Sequence, residues 1–328
     1  MNSVGHSVEL CVVIVNYKTS ELVIDVLESL KTEIDSRSMR VIIVDNDSQD
    51  DSAKDIVSWI EENRQTSSFS LIESSFNSGF SGGNNIGIKS VEANYYLLLN
   101  SDTVVRPGAL KIFLETAKMN PEAGLIGPRL EWPDGKPQES CFHFHTPVSE
   151  FLKAASVGLF SRLLSRYVVA RPVVDTIEQF QWVSFACVLI RSEVIKDIGL
   201  LDDEFFMYFE DVEFSYRAQK AGWKVIYQPN AHVVHLRGGS SPLKSQAKLR
   251  KKLPRYFYES RTRYFYLLYG YWGLTFANIA WSLGATISGL REKLSKHYQS
   301  NTAEGQWRDT WINFTNPLKA YIHPKDYD

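Results

Sequence analysis

Leu10-Cys11-Val12-Val13-Ile14-Val15 is an unbroken apolar run closed by Asn16-Tyr17, and its reading decides the fold. A strand with one wet face alternates apolar and polar residues, whereas a continuous apolar run belongs to a strand covered on both faces. Outward from it the same grammar repeats. Thr19 and Ser20 can cap a segment in which Leu22, Val23, Val26, Leu27 and Leu30 recur at helical spacing. Val41-Ile42-Ile43-Val44 is a second buried run, ending in Asp45-Asn46-Asp47. Ser52 and Asp55 resemble a capping box for a helix that turns Ile56, Val57 and Ile60 inward. Residues 69–72 form a third strand, a Gly/Asn-rich loop follows, and residues 95–99 form a fourth; Pro107 suits the first turn of another helix. Strands alternating with helices predict an α/β domain around a mostly parallel, doubly wound sheet. Ligands of such sheets sit beyond the carboxyl ends of the strands, where Asp45, residues 77–85 and residues 100–102 all fall.

After Gly127 the pattern changes. Trp132-Pro133-Asp134-Gly135-Lys136 reads as a turn between short strands, and residues 146–171 read as irregular. Residues 183–190 are another buried strand, and residues 223–227 and 231–235 close the sheet. A chain of 328 residues with 44% hydrophobic residues can bury a large core, and a net charge of −2 gives no reason to expect nucleic acid. Three scattered cysteines, Cys11, Cys141 and Cys187, imply no disulfide framework and fit a reducing compartment, with Cys11 and Cys187 as buried thiols. The first ten residues lack a basic segment followed by an apolar core, so no secretory signal is expected.

Several segments carry chemistry. Asn100-Ser101-Asp102 follows a strand, and a strand-end carboxylate can hold a hard divalent cation that also binds substrate phosphates; the bland alternative is a turn aspartate. Asp45 can accept hydrogen bonds from a nucleotide's base or ribose, whereas Asn46, Asp47 and Ser48 read as turn formers. Asn77-Ser78-Gly79-Phe80-Ser81-Gly82-Gly83-Asn84-Asn85-Ile86-Gly87 leads into a helix whose start favours negative charge, or else is a tight packing turn. It matches neither a Walker loop nor Gly-x-Gly-x-x-Gly, which disfavours a nicotinamide-type oxidoreductase. His232 and His235 stand three apart in a strand and so face opposite ways, leaving one of them structural and one able to join Asp102. Glu210 and Asp211 sit side by side in the aromatic stretch Phe205-Phe206-Met207-Tyr208-Phe209. A carboxylate against apolar surface resists ionising, which suits proton transfer, although acids also favour a helix start.

Together, Val13-Ile14-Val15-Asn16-Tyr17, Val44-Asp45-Asn46, the 77–87 segment, Leu98-Leu99-Asn100-Ser101-Asp102 and Phe206-x-Tyr208-x-Glu210-Asp211 resemble glycosyltransferase family 2 over residues 8–240. The closest likeness is to its bacterial rhamnosyltransferase branch. The resemblance implies a GT-A fold, a nucleotide-diphosphate sugar donor, Mg²⁺ or Mn²⁺, and inversion at the anomeric carbon. It implies donor contacts at Asn16, Tyr17, Asp45, Asn77, Gly79, Asn84, Asn100 and Asp102. In the Asp-x-Asp-type metal motif Asn100 replaces the first Asp, as in the rhamnosyltransferase branch, leaving one charge fewer for the metal. His235 is placed like the metal-binding histidine of polymerising relatives, and Asp211 matches the catalytic base. Glu210 and Arg217 would support it, Arg217 by orienting Asp211 or meeting acceptor phosphates. Phe185 departs from the pattern, since relatives commonly carry Gly there.

Residues 241–328 read as a separate helical extension appended to a domain of residues 1–240. Residues 244–263 hold eight Lys or Arg against the single acid Glu259, and residues 264–290 then carry no charge. The length suits a membrane span, but Asn278, four glycines and many hydroxyls weaken it. Basic flanks and aromatic rings better fit a helix pair lying in the membrane interface, with a packed appendage as the bland alternative. The sequence therefore predicts a rhamnosyltransferase using dTDP-L-rhamnose, peripheral to the cytoplasmic face of the plasma membrane, acting on a lipid-linked or growing glycan. A UDP-hexose or UDP-galactofuranose donor is the alternative within the class, a non-catalytic sugar-nucleotide-binding module the alternative outside it. The oligomeric state is open, a homo-oligomer included.

Overall fold

The buried runs become strands and the amphipathic segments helices in the computed structural model, which describes residues 8–238, 243–295 and 297–327. In chain order these are β1 (Val8–Asn16), α1 (Ser20–Leu30), β2 (Met39–Asp45), α2 (Ser52–Glu62), β3 (Phe69–Glu73), α3 (Gly79–Ser90), β4 (Ala93–Asn100), β5 (Thr103–Val105), α4 (Ala109–Met119) and β6 (Ala123–Glu131). The sheet runs β3-β2-β1-β4, then the strand Cys187–Arg191, then β6, the strand Lys224–His235 and β5. It is mostly parallel. Cys187–Arg191 runs against both of its neighbours, and β5 runs against Lys224–His235. The expected pair of closing strands is one strand, with a register irregularity between Gln228 and His232.

Burial follows the predicted stripes, with local exceptions. Val23, Val26, Leu27 and Leu30 of α1 are buried, as are Ile56, Trp59 and Ile60 of α2. Val57 is exposed, because one residue turns a helix by about 100° away from Ile56. Neither expected cap forms through its own side chain. Thr19 gives its hydroxyl to Asn16 Oδ1 (3.1 Å), and the Ser52 amide is taken by Asp50 (3.0 Å). All three cysteines are buried and free, and burial pushes the Cys11 and Cys141 thiols up to about 12, which leaves them inert as nucleophiles.

The Gly-rich stretch is itself helix rather than a loop before one, since α3 begins at Gly79. Its glycines serve close packing on β1. A Cβ on Gly83 would lie 2.8 Å from Val15 Cγ1, and one on Gly87 would lie 2.4 Å from Val13 Cγ1.

The chain divides into two compact units, Met1–Cys141 with Pro172–Asp203 and Phe214–Ser240, and Phe142–Arg171 with Glu204–Glu213 and Ser241–Asp328. In the second unit, residues expected to be irregular form the helix Pro147–Ala155. Its start is a capping box in which Thr146 and Ser149 exchange hydrogen bonds, with Pro147 in the first turn. The following helix, Arg255–Leu294, breaks at Gly270, where φ is 65°. Its second half lies tight on Pro147–Ala155: a Cβ on Gly284 would stand 2.5 Å from the Phe151 carbonyl oxygen. Arg261 and Glu150, both buried, pair at 2.8 Å, and Arg261 also donates to Asn278 Oδ1 (2.7 Å). Burial pushes the Glu150 carboxyl up, but Arg261, Lys153 and His145 outweigh it and hold the group below the usual range. Breaking such a pair leaves an uncompensated buried charge. Among the described residues no helix is long and apolar enough to cross a membrane.

Gly to Ala inside a helix ordinarily stabilises by up to about 1 kcal/mol. Gly87→Ala should instead destabilise by about 1–3 kcal/mol, because the added methyl overpacks β1. A thermal melt reads the sign directly, and a raised Tm contradicts the packing role.

Candidate active site

β5 and the end of Lys224–His235 build the first cluster. His235 pairs with Thr103 across the antiparallel ladder, and the Leu236 amide donates to the Asp102 carbonyl (2.9 Å). This register brings two side chains over a hundred residues apart in sequence into one place, His235 Nε2 lying 3.6 Å from Asp102 Oδ1. The Asp102 side chain is 1% exposed and that of His235 12%. Gln138 donates to the His235 carbonyl (2.7 Å) and fixes the end of the strand. Both Asp102 carboxylate oxygens are buried with no hydrogen-bond partner, as is Asn100 Oδ1. Buried acceptors left in that state are costly unless a ligand completes them. The carboxylate and the imidazole at this separation fit a divalent cation whose remaining positions would go to water or phosphate oxygens. Among the described residues no three His, Cys, Asp or Glu form a ready cluster. His232 faces the other way, as the parity of the strand requires. It lies 3.0 Å from Glu131 Oε2, a buried carboxylate also bonded by Arg106 (2.9 Å).

A second polar cluster lies at the ends of β1 and β2. Asn16 Nδ2 donates to Asp45 Oδ1 (2.6 Å) and to Ser48 Oγ (3.2 Å), and the Ser48 amide donates to Asp45 Oδ2 (3.1 Å). Asn16, Asp45, Asn77, Gly79 and Asn84 are all buried, whereas Tyr17 is exposed. Asn84 donates to the Phe80 carbonyl within α3 (2.9 Å). Two residues that sequence reading passed over as turn formers, Asn46 and Ser48, prove to be hubs. Asn46 donates to Asn77 Oδ1 (3.0 Å) and the Gly79 carbonyl (2.9 Å) while accepting from the Ser78 amide (3.1 Å), which ties β2 to the start of α3. Asn85 was quoted only as part of a motif, yet it clamps both backbone groups of Leu201, at 2.9 and 3.2 Å. Nothing in a lone Asn marks such a partner in advance.

Glu210 and Asp211 open the helix Glu210–Lys220, as the acids-at-a-helix-start reading expected. Just before them Tyr208 and Phe209 take φ values of 74° and 69°. Such backbone costs about 1–3 kcal/mol per residue and persists only when its surroundings over-determine it. Here the surroundings are aromatic: Phe209 packs on Tyr264 and His145, each with ring centroids 5.2 Å apart, and Ser260 donates to the Met207 carbonyl (3.1 Å). Burial, then the charge of Asp211, raises the Glu210 carboxyl well above its ordinary range. Asp211 is partly exposed and accepts from the Val212 amide (2.9 Å). Arg217 donates to the Ile198 and Leu200 carbonyls (2.7 and 2.9 Å), closing the end of the helix Ser192–Ile198, a structural duty the sequence reading did not assign it. Phe185 is buried against Phe214, with centroids 6.0 Å apart.

The family described as "Glycosyltransferase like family 2" matches residues 8–255, most of the chain. The chain belongs to that family. Among curated family relatives, the Mycobacterium tuberculosis (strain H37Rv) N-acetylglucosaminyl-diphospho-decaprenol L-rhamnosyltransferase is 28% identical over 149 residues, covering 45% of this chain and 48% of that protein. The Haloferax volcanii low-salt glycan biosynthesis hexosyltransferase Agl10 is 28% identical over 216 residues, 65% of this chain and 62% of that one. The chain thus spans about half to three fifths of these relatives' lengths. Among solved structures, the Pyrobaculum calidifontis mannosyltransferase PcManGT, in complex with GDP-Man and Mn²⁺, superposes with a TM-score of 0.56 at 13% identity, covering 96% of this chain and 89% of that one. Staphylococcus aureus TarS residues 1–349 superposes with a TM-score of 0.53 at 14% identity, covering 94% and 81%. These likenesses establish the GT-A fold.

A raised carboxyl pKa has a stability consequence of definite sign. Folded Glu210 keeps its proton to higher pH than the unfolded chain does, so the protein loses stability as pH rises above the ordinary glutamate range. Glu210→Gln removes that loss. Its Tm should match wild type near pH 4 and exceed it progressively toward neutrality; parallel pH profiles contradict the assignment.

Proposed function

We propose that this chain is an inverting, divalent-cation-dependent glycosyltransferase that moves L-rhamnose from dTDP-L-rhamnose to a lipid-linked or growing glycan in cell-wall or surface-polysaccharide assembly. The observation that carries the chemistry is the buried, otherwise unpartnered Asp102 carboxylate beside His235. In this reading Asp102 and His235 would hold Mg²⁺ or Mn²⁺, and the cation would supply neutralisation of the charge that builds on the departing diphosphate. Asn16, Tyr17, Asp45, Asn77, Gly79, Asn84 and Asn100 form the donor side. The exposed Tyr17 ring offers a face to the base, and the Asn16–Asp45–Ser48 hydrogen bonds hold the polar groups beneath it. Asp211 takes the proton from the acceptor hydroxyl as that oxygen attacks the anomeric carbon. Beside it, burial and then the charge of Asp211 raise the Glu210 carboxyl above its ordinary range, which disfavours a second charge next to the base. Rhamnose is favoured by the mycobacterial relative's name and by the Asn100-Ser101-Asp102 form of the metal motif.

The same reading places the enzyme on the inner face of the plasma membrane. What supports this is an exposed stripe on the second half of Arg255–Leu294: Trp272, Phe276, Ile279, Leu283 and Leu294, from 44% to 87% exposed at helical spacing. Lys248, Lys251 and Lys252 are exposed in the same unit, and each basic residue near anionic lipid contributes about 1 kcal/mol.

A donor panel with Mg²⁺ or Mn²⁺, scored by nucleotide diphosphate release and thermal stabilisation, tests the proposal. Stabilisation by dTDP over UDP is expected; the reverse moves the donor to a UDP-hexose or UDP-galactofuranose, and no turnover with any donor favours a binding module. Asp211→Asn should lose at least ~10²-fold in turnover with donor binding intact, the usual scale of general-base catalysis; near-normal turnover removes Asp211 from that role. Sedimentation with anionic vesicles should occur in wild type, weaken with salt, and fall sharply in Trp272→Ala/Phe276→Ala. Binding insensitive to both removes the stripe from membrane contact.

A further inference from the structure

The second unit holds a cleft of about 560 Å³ that none of the chemistry above uses, within the ~300–1,000 Å³ usual for small-molecule sites. We infer that this cleft is a carbohydrate-binding site for an uncharged sugar ring, separate from the donor side, an inference that goes beyond the proposed transfer reaction. Three observations carry it.

The first is an aromatic wall. Trp307 is 48% exposed, and its ring is held edge-on against the buried Trp281 at 5.3 Å between centroids. A fixed, half-open indole offers the flat apolar surface on which the C–H face of a pyranose packs.

The second is the polar lining. Arg250 and Lys293 are balanced by Glu292 and Glu304, so the cleft has no net charge and no preference for a phosphate. Arg250 and Glu292 pair through two contacts at 2.7 and 3.3 Å, presenting a planar donor beside a planar acceptor. Adjacent sugar hydroxyls, each both donor and acceptor, match such a pair. The hydroxyl of Thr302, bonded to Ser300 at 2.9 Å, adds a further polar contact.

The third is Gly289. Glycine in a helix interior costs about 0.5–1 kcal/mol relative to Ala, so its presence calls for a reason. In this helix Gly270 needs its positive φ, and Gly284 lets two helices approach. Gly289 has neither reason: a Cβ there would meet nothing within 4 Å. What its missing side chain keeps open is the cleft it lines.

Saturation-transfer NMR on the full chain with L-rhamnose, N-acetylglucosamine, D-galactose and D-glucose tests this, read beside thermal stabilisation by dTDP and UDP. At least one sugar should bind saturably in the millimolar range. Gly289→Leu, whose Cβ meets nothing within 4 Å and whose side chain would occupy the cleft, should abolish that binding while keeping or raising Tm. Trp307→Ala should weaken it roughly tenfold. Both variants should retain nucleotide stabilisation, which separates failure here from failure of the donor site. If no sugar binds wild type, or if Gly289→Leu binds as wild type does, the inference is overturned. Should Trp307→Ala fail to fold, Gly289→Leu alone decides.

Discussion

The short antiparallel ladder between β5 and the end of Lys224–His235 is the constraint on which the chemistry of this fold depends. In it Val233, Val234 and His235 pair with Val105, Val104 and Thr103. Within that register His235 meets Asp102 and His232 turns to Glu131 instead, since neighbours an odd number apart in a strand face opposite ways. A slip of one residue would turn His235 to the opposite face and leave Asp102 buried without an imidazole beside it. Pairing of the same segment with β6, His232 with Arg129 and Val234 with Glu131, holds that register from the other side.

Two other buried polar clusters pair their groups. Asn16, Asp45, Asn46, Ser48 and Asn77 bond one another at the ends of β1 and β2, so the fold itself holds these polar groups in place. Arg261, Glu150 and Asn278 do the same inside the second unit. Against that background the bare Asp102 carboxylate stands out. The Asp45 and Glu150 carboxylates accept bonds of 2.5–3 Å, whereas both oxygens of Asp102 lack a hydrogen-bond partner, a condition that a bound ligand would relieve. The strained Tyr208–Phe209 backbone belongs to the same economy, in which packed aromatic rings hold two carboxylates at a helix start.

How much of this was legible in the residues depends on the period of the signal. Continuous apolar runs located β1, β2 and β4, because a strand buried on both faces leaves little ambiguity. The motif at Asn100-Ser101-Asp102 and the parity of His232 and His235 were likewise readable, the first by resemblance and the second by strand geometry. Helix Pro147–Ala155 was missed although Thr146-Pro147-Val148-Ser149 is a serviceable start signal; the buried Glu150 breaks its apolar stripe, and only the distant Arg261 makes that burial tolerable. The glycines of α3 looked like a ligand loop because their neighbour, β1, is remote in sequence. Asn46, Asn85 and Arg217 each bond backbone or amide groups set by tertiary contact, which no local pattern announces.

The central claim is that Asp102 and His235 share one divalent cation. Electron spin-echo spectroscopy of bound Mn²⁺ in the presence of a nucleoside diphosphate tests it most directly. Modulation from a histidine nitrogen is predicted in wild type and its loss in His235→Ala, with Mn²⁺ affinity reduced in Asp102→Asn. A wild-type spectrum without that nitrogen coupling, or one unchanged in His235→Ala, contradicts the claim.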